Sequence, residues 1–482
     1  MNRNIIFFFF LLLIHGAILA QSVEQADVKK IAKNLLSKNS KSDVLLEEIK
    51  LDFYEVNDTI LFYIANNSSD FAIIANDLRV NPILGYSDEG SYNPDNIPPQ
   101  LRALLESYKS EILQIKRKKS SYYKLYNNEW NNYLENNFDG VKASVSPIIK
   151  VNWNQGSGWN RFCPEDSDGP GGHVYVGCVA VSMAQSMSVF KHPIVGTGES
   201  NYFAEGYGIL YVNYGETQYQ WDIMSNTSAD DYNSLLLYHC AVAVEMGFGP
   251  DGSGAYTKDI ARALKSYFDY SSEVYWKSST EDQAWIDLLK SELDAGRPIS
   301  YGGNDGANVG HAFNLDGYDN SDAFHVNWGW SGAYNGYFRI SSLTPNGSDY
   351  SKNAVAVLNI KPKDHSPTDI NLSNLNLYDN TLPGTKFSKI TVDDPDENDV
   401  HFLTVEGTNS IFSEPYCPFY IENDSLVLEE KIDSEVYSKI YIKIIARDQQ
   451  ENIYSKDFTI NILKENHSPT NITISNNEFN DT

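Results

Sequence analysis

The stretch HVYVGCVAVSMAQSM, residues 173–187, sets Cys178 directly after a glycine and at the mouth of an apolar helical run. A thiol at a helix N-terminus lies among unpaired backbone N–H groups and at the positive end of the helix dipole, and both favour thiolate over thiol. The N–H of Cys178 itself is placed to donate to an oxyanion developing on a substrate carbonyl. Such a nucleophile needs a base. His311, in GGNDGANVGHAFNLDGYD, stands between a glycine-rich loop and the start of a strand, and Asn327 and Trp328 follow in FHVNWGWSG. The next strand can return the Asn327 amide to the imidazole, where its oxygen would accept from the ring N–H and fix the tautomer. Gln155, in VNWNQGSGWN, can supply a second oxyanion donor.

Spacing alone leaves other readings open, because Cys178 and His311 are not local neighbours. Cys178 can be a small buried core residue or half of a disulfide with Cys163 or Cys240. It can also be a zinc ligand beside Cys163 and His173, although that set lacks the paired close spacing of structural zinc motifs. His173 competes with His311 as base but reads as a loop residue near a cleft rim. His325 reads as a strand residue, packed or exposed, and Trp328 and Trp330 as core aromatics.

The elements that must position these groups are legible in outline. DVKKIAKNLLSKN and IPPQLRALLESYKSEILQIKRKK carry helical apolar stripes, the second with Pro98 and Pro99 at its start. KLDFYEV, ILFYIAN and DFAIIAND between them alternate as short strands. The polar stretch from 117 to 146 reads as a linker, where proteases cut. Beyond it come the Cys178 helix, the apolar helix YNSLLLYHCAVAVEMGFG, the helix TKDIARALKSYF with Thr257 as N-cap, and the helix EDQAWIDLLKSELDAGRP. The pattern then turns to strands: PISYGG, HAFNLDGYD, AFHVNWGW, GYFRISSL and NAVAVLNI. Helices first and an antiparallel sheet after predict an α+β domain over 147–361.

The start, MNRNIIFFFFLLLIHGAILAQS, has the layout of a secretory signal over residues 1–20. No later run approaches the ~20 apolar residues of a membrane span. An exported protein with no membrane anchor is expected. A net charge of −27 argues against nucleic acid and anionic membranes, which require a basic footprint. Four cysteines permit two disulfides but do not make a disulfide-built scaffold.

GCVAVSMAQSM, GHAFNLDGYD and HVNWGWSGAYNGYFRI resemble the catalytic blocks of the streptopain family of secreted bacterial cysteine peptidases. TQYQWDIM, GFGPDGSGAYTKDIARALKSYF and NQGSGWNRFCP resemble its intermediate blocks. Residues 21–146, most clearly FAIIANDLRVNPILGYSDEGSYNPDNIPP, resemble its inhibitory prodomain. The resemblance implies a two-lobed papain-like fold made as a zymogen that acts on protein or peptide substrates, with the prodomain as an intramolecular inhibitor. It implies Cys178 as nucleophile, His311 as general base and acid, Asn327 as the histidine orienter and Gln155 as oxyanion donor. Trp328 would shield the His–Asn contact, and Gly310, Ser253 and Gly254 would hold substrate backbone. It further implies a hydrophobic P2 preference and no cofactor for catalysis. Val309 departs from the family's usual glycine and would narrow the cleft beside Gly310.

From 362 the helices vanish, and strand-like runs with regular turns predict an all-β sandwich over 362–465. DHSPTDINLSNLNL at Asp364 and NHSPTNITISNNEF at Asn466 repeat one another, so 466–482 reads as the start of a second copy. TVDDPDEND, FYIENDSLVLEE and YIKIIARDQ resemble a cadherin-like repeat, which implies calcium at Asp393, Asp394, Asp396 and Asp448 and adhesive contacts at a cell surface. The rival reading of the whole chain is a non-catalytic adhesin on a protease-like scaffold, which degenerate catalytic residues would have favoured.

Overall fold

The computed structural model describes residues 22–39, 44–117, 126–138, 143–277, 282–304, 310–340, 354–396, 399–408 and 416–465. The expected signal and the start of the second repeat lie outside them. The chain forms two compact units, Met1–Pro362 and Lys363–Thr482.

In the first unit, α1 (Gln25–Asn39) buries Val28, Ile31, Ala32, Leu35 and Leu36, the stripe its spacing predicts. Strands β1 (Lys50–Val56), β2 (Thr59–Asn66), β3 (Phe71–Ala75) and β4 (Ile83–Ser87) form an antiparallel meander. Helix α2 (Pro99–Arg117) starts on Pro99, where a missing N–H costs no helical bond, and buries Leu101, Leu105, Tyr108, Ile112 and Ile115. The expected linker is not featureless. Within it α3 (Asn127–Leu134) buries Trp130, whose Nε1 donates to the Val80 carbonyl at 3.0 Å, and so fastens the segment to the N-terminal layer. Strand β5 (Ala143–Val145) then enters the main sheet.

The next stretch is helical. It holds α4 (Cys178–Ser188), the hairpin β6 (Glu199–Ala204) and β7 (Gly208–Asn213), α5 (Asp231–Ala243) and α6 (Asp259–Tyr267). The sequence pointed to Thr257 as cap of α6. The helix instead begins at Asp259, with Lys258 in the cap position and Thr257 buried beneath the turn. The well-made cap belongs to α5, where the Asp230 carboxylate accepts from the N–H groups of Tyr232 and Asn233. Strand β8 (Tyr270–Trp276), α7 (Asp282–Asp294), β9 (Ile299–Asn304), β10 (Gly310–Asp319), β11 (Phe324–Asn327), β12 (Gly336–Phe338) and β13 (Val355–Pro362) complete the unit.

The sheet order is β1-β2-β3-β4-β12-β11-β10-β9-β13-β8, with β5 on β10. The N-terminal meander is therefore not a separate layer: β4 pairs with β12, Tyr86 opposite Tyr337 and Gly85 opposite Phe338, and extends the sheet that carries His311 and Asn327. Two cores result. One lies among α4, α5 and α6, with Met183, Leu237, Cys240 and Leu264 at its centre. The other fills the space between the sheet, α1 and α2, with Phe62, Leu105, Trp328 and Phe338. A helical lobe and a sheet lobe meeting at the N-terminus of α4 are the two lobes expected of the α+β papain-like fold.

The second unit holds β14 (Asp369–Leu372), β15 (Asn376–Tyr378), β16 (Lys386–Asp393), β17 (Phe402–Gly407), β18 (Phe419–Glu422), β19 (Ser425–Leu428), β20 (Lys439–Arg447) and β21 (Ile453–Leu463). They make two four-stranded sheets, β14-β16-β19-β18 and β15-β21-β20-β17. Alternation is the cause: Ile440, Ile442, Ile444 and Ala446 of β20 all point into the core between the sheets. The expected all-β sandwich is present.

Candidate active site

Gly177 sets the geometry of the nucleophile. Its φ of 94° is in the left-handed region, and a Cβ there would fall 2.6 Å from the Met246 side chain. Glycine thus lets the chain turn sharply into α4, leaving Cys178 as the first helical residue. The rest of the helix, Val179 to Met187, is buried, which makes it a rigid post. The Cys178 side chain is half-buried, and the Ala312 N–H, next to His311 on β10, donates to Sγ at 3.5 Å. Burial pushes the thiol up, against the N–H groups of Ala312, Val179 and Cys178 itself, which pull it down. The helix-mouth donors are present as expected, yet in this state burial outweighs them and the net direction is upward.

Cys178, His311 and Gln155 line one cavity of about 210 Å³. Gln155 is fixed by the Val176 N–H, which donates to its carbonyl at 3.0 Å, so two backbone turns hold donor and nucleophile side by side. Ser253 also lines the cavity, but its hydroxyl donates to the Tyr175 carbonyl at 2.6 Å and pins the loop before Gly254. The N–H and carbonyl of Gly254 are both spent on Gly247, at 3.0 and 2.9 Å, and Gly254 is not among the lining residues. Of the two expected substrate-holding residues in this loop, Ser253 stands at the cleft and Gly254 braces it. Gly310 opens β10 opposite Asn304.

Asn327 lies one strand away from His311, on β11, opposite Asn314. Its Oδ1 accepts from Gln185 Nε2 and from the Gly329 N–H, both at 3.1 Å, and its Nδ2 donates to the Val151 carbonyl at 3.1 Å. Gln185 in turn accepts from Asn314 Nδ2 at 2.9 Å, and Asn314 Oδ1 accepts from the hydroxyls of Ser182 and Ser186 at 2.8 and 3.1 Å. Every member is buried. Flipping the Asn327 amide would set donor against donor at two contacts, so its orientation is fixed. This relay ties the nucleophile helix to the two strands that carry His311 and Asn327. The sequence reading missed it; the signal was three polar residues, Ser182, Gln185 and Ser186, within the otherwise apolar run from Val179 to Met187. Replacing Gln185 with leucine takes from Asn314 Nδ2 its acceptor and leaves Asn327 Oδ1 with the Gly329 N–H, and is expected to lower stability by about 1–3 kcal/mol. Thermal unfolding of wild type and variant checks this, and an unchanged midpoint contradicts it.

Trp328 is buried; its Nε1 donates to the Tyr334 carbonyl at 2.8 Å and its ring packs 5.1 Å from Phe313 and 5.2 Å from Phe338. Trp330, read from sequence as a core aromatic, instead lines the cavity with Cys178 and His311. The remaining histidines have other partners. His173 Nδ1 lies 2.8 Å from the Cys163 carbonyl. His325 is buried, with Nδ1 2.6 Å from the Asp316 carboxylate. Burial opposes its protonation, but Asp316, with Glu89 and Asp88 of the N-terminal meander, outweighs that and raises its pKa. All four cysteines are free thiols, so the disulfide readings of Cys178 do not hold, and burial pushes Cys163 up to about 12. Among the described residues, the sets that bring three metal-ligating side chains together lie in the second unit, and the zinc reading of Cys163, His173 and Cys178 finds no support.

The cavity has a stopper. Pro99 and Gln100, at the start of α2, line it from the prodomain side. Among the described residues, Gln100 Nε2 makes only long bonds, 3.4 Å to the Ala312 carbonyl and 3.5 Å to that of Trp328, and its buried Oε1 has no partner. The stopper is held from elsewhere. At the β4–β12 seam Tyr86 donates to Asp319 at 3.1 Å and Ser87 to the Asn335 carbonyl at 2.5 Å, and Tyr108 of α2 donates to the Arg339 carbonyl at 2.6 Å.

Comparison with known proteins agrees with this geometry. Residues 153–338 match the Peptidase C10 family and residues 20–112 the Spi protease inhibitor family. The chain is similar to the thiol protease/hemagglutinin PrtT of Porphyromonas gingivalis, 28% identical over 377 residues, covering 71% of this chain and 42% of the relative. It is also similar to streptopain of Streptococcus pyogenes, 27% identical over 348 residues, covering 66% of this chain and 83% of the relative. Among solved structures, a fragment of Prevotella intermedia prointerpain A aligns with a TM-score of 0.51 and 27% identity, over 65% of this chain and 99% of the fragment. The chain spans less than half of the first of these relatives and most of the second. Residues 153–338 are a Peptidase C10 domain, and the stopper belongs to a Spi-type inhibitor domain.

Proposed function

We propose that this Peptidase C10 chain is the precursor of a secreted cysteine endopeptidase, held latent by its own prodomain. One observation carries the reading: Cys178, at the mouth of a buried helix, shares a cavity with His311 and Gln155, and the first residues of α2 fill part of it. In the active form the Cys178 thiolate attacks the peptide carbonyl, and the N–H of Cys178 and the Gln155 amide receive the oxyanion. His311 passes the thiol proton to the leaving amine, leaving a thioester. It then takes a proton from water, whose oxygen attacks the thioester and returns the thiolate. Asn327 orients the imidazole, Trp328 covers that contact, and Gly310 and Ser253 hold the substrate backbone. A hydrophobic P2 residue is expected from the streptopain resemblance. A thiol-directed epoxide tests the reading. Processed protein takes it up at Cys178 and loses activity, whereas activity that survives labelling contradicts the reading.

Export fits the apolar leader and the relatives' character, and among the described residues no helix is long and apolar enough to cross a membrane. The second unit supports a cation-binding role and, through it, contacts at a cell surface. Asp364, Asp399 and Asp448 bring carboxylate oxygens within 4.8 Å of one another, as do Asp394 and Asp399 with His401. Asp399 Oδ2 is buried without a hydrogen-bond partner among the described residues. Asp393, expected as a ligand, belongs to neither group: it is exposed at the end of β16 and accepts from Asn371. Asp396 accepts from the N–H and ring of His365. Oxygen donors alone at Asp364, Asp399 and Asp448 suit calcium, which would neutralise their mutual repulsion.

Burial and the neighbouring carboxylates raise the pKa of Asp364 and of Asp399. A raised folded-state pKa gives stability that is present at low pH and lost as pH rises through it. Without calcium, the second unit is therefore expected to unfold at a higher temperature near pH 4.5 than near pH 7. Saturating calcium at pH 7 should restore several degrees, since binding at about 100 times Kd adds about 2.7 kcal/mol. Unfolding curves with calcium and with a chelator, for wild type and Asp399→Asn, check both. Identical midpoints with and without calcium contradict the site.

A further inference from the structure

Besides the candidate catalytic groups, the cavity is lined by Asp251, Gly252 and Ser253, from the loop between Gly249 and Gly254. The base of the loop is clamped by the paired bonds between Gly247 and Gly254, and its middle by Ser253, whose hydroxyl donates to Tyr175 and accepts from the Gly249 N–H at 3.1 Å. This loop carries Asp251, which lines the cavity with Cys178 and Gln155. Among the described residues, Asp251 is the only carboxylate in the lining. It is exposed and, among the described residues, has no ion pair or hydrogen bond. Tyr175 and Trp330 supply aromatic surface in the same cavity.

A single unpaired carboxylate beside aromatic walls matches one kind of substrate group. Lysine and arginine lay an aliphatic stem along apolar or aromatic surface and hold a cation at its tip. A neutral side chain would use the walls and leave the carboxylate unanswered, and an acidic one would be repelled. We propose that Asp251 makes this cleft select peptides that place a lysine or arginine side chain next to the scissile bond. The proposal rests on the peptidase reading above and names its substrate class. A second observation points the same way. The expected linker follows directly on the last cations of α2, so that Lys116, Arg117, Lys118 and Lys119 stand together at its start, the densest run of cations in a chain with 37 basic and 64 acidic residues. The enzyme's own precursor thus offers the side chains that Asp251 would receive.

The test uses processed enzyme and peptides that differ only in charge at one position, lysine against norleucine and arginine against citrulline, scanned through the positions flanking the cleaved bond. Wild type should prefer the cation roughly 5-fold in kcat/KM at one position, the upper range of an exposed pair, and 0.5 M salt should reduce the ratio. Asp251→Asn should bring that ratio to about one, and Asp251→Lys should invert it toward glutamate. Uptake of the epoxide at Cys178 is followed in every variant. Enzyme that labels and cuts but shows the same ratio in wild type and Asp251→Asn overturns the proposal alone. Enzyme that neither labels nor cuts contradicts the peptidase reading, and this proposal with it.

Discussion

Replacing Cys178 with alanine is expected to lower peptide hydrolysis by about 10⁴- to 10⁶-fold, the range seen when a catalytic nucleophile is removed. The substitution deletes one atom, Sγ, which the Ala312 N–H meets at a long 3.5 Å, so little folding energy goes with it. The buried helix behind it keeps its packing through Met183, Ala184 and Met187. Cys240→Ala is the contrasting control. Its Sγ sits in the helical core 3.9 Å from Met187 Sδ, and its loss should cost roughly 1 kcal/mol of stability with activity intact. Initial rates on a peptide substrate and unfolding midpoints for both variants separate the two roles. A Cys178→Ala enzyme within tenfold of wild type would mean that the chemistry lies elsewhere.

The second large effect is expected at Gly85, far from the nucleophile in sequence and across the seam in space. A Cβ at Gly85 would approach the Phe338 ring at 2.5 Å and the Tyr337 carbonyl at 3.1 Å. Glycine is what allows β4 to close on β12. Valine at 85 must push the strands apart, and forcing such contacts costs about 1–3 kcal/mol, or roughly 5- to 150-fold in an equilibrium. The stopper at Pro99 and Gln100 makes only long bonds in the cleft, so the seam decides whether it stays. Precursor carrying Gly85→Val should therefore react at Cys178 with a thiol alkylator roughly 10- to 100-fold faster than wild-type precursor at the same pH. Once the stopper opens, the burial that now pushes the thiol up is relieved, while the N–H groups of Ala312, Val179 and Cys178 remain. Alkylation that is unchanged while the precursor's thermal midpoint falls would show that the seam contributes to folding and not to latency.

Much of this was legible in the sequence, and the reasons differ by element. Helices α1 and α2 declared themselves through stripes of Leu and Ile, and β20 through strict alternation, because both face one core and one solvent. Cys178 and His311 were singled out because a Gly-Cys pair before an apolar helix, and a histidine after a glycine loop, are local patterns that resemble the streptopain family's blocks, and the structure brings the two to one cavity. The amide relay was not found, because its partners Gln185, Asn314 and Asn327 are distant in sequence and share no period. The β4–β12 pairing was hidden for the same reason: nothing in ILGYS or GYF states which strand lies beside it. Helix α3 was read as linker because its eight residues are mostly polar and one buried residue, Trp130, makes no periodicity. Trp330 was placed in a core because composition cannot tell an aromatic that lines a cleft from one that fills a lobe.

The most direct test of the account is mass mapping of processed protein after reaction with a thiol-directed epoxide, with residual proteolysis measured on the same sample. The account predicts one epoxide per chain, located on Cys178 and absent from Cys163 and Cys240, and proteolysis that falls in proportion to labelling. Full proteolysis from a chain whose Cys178 is completely modified would contradict it.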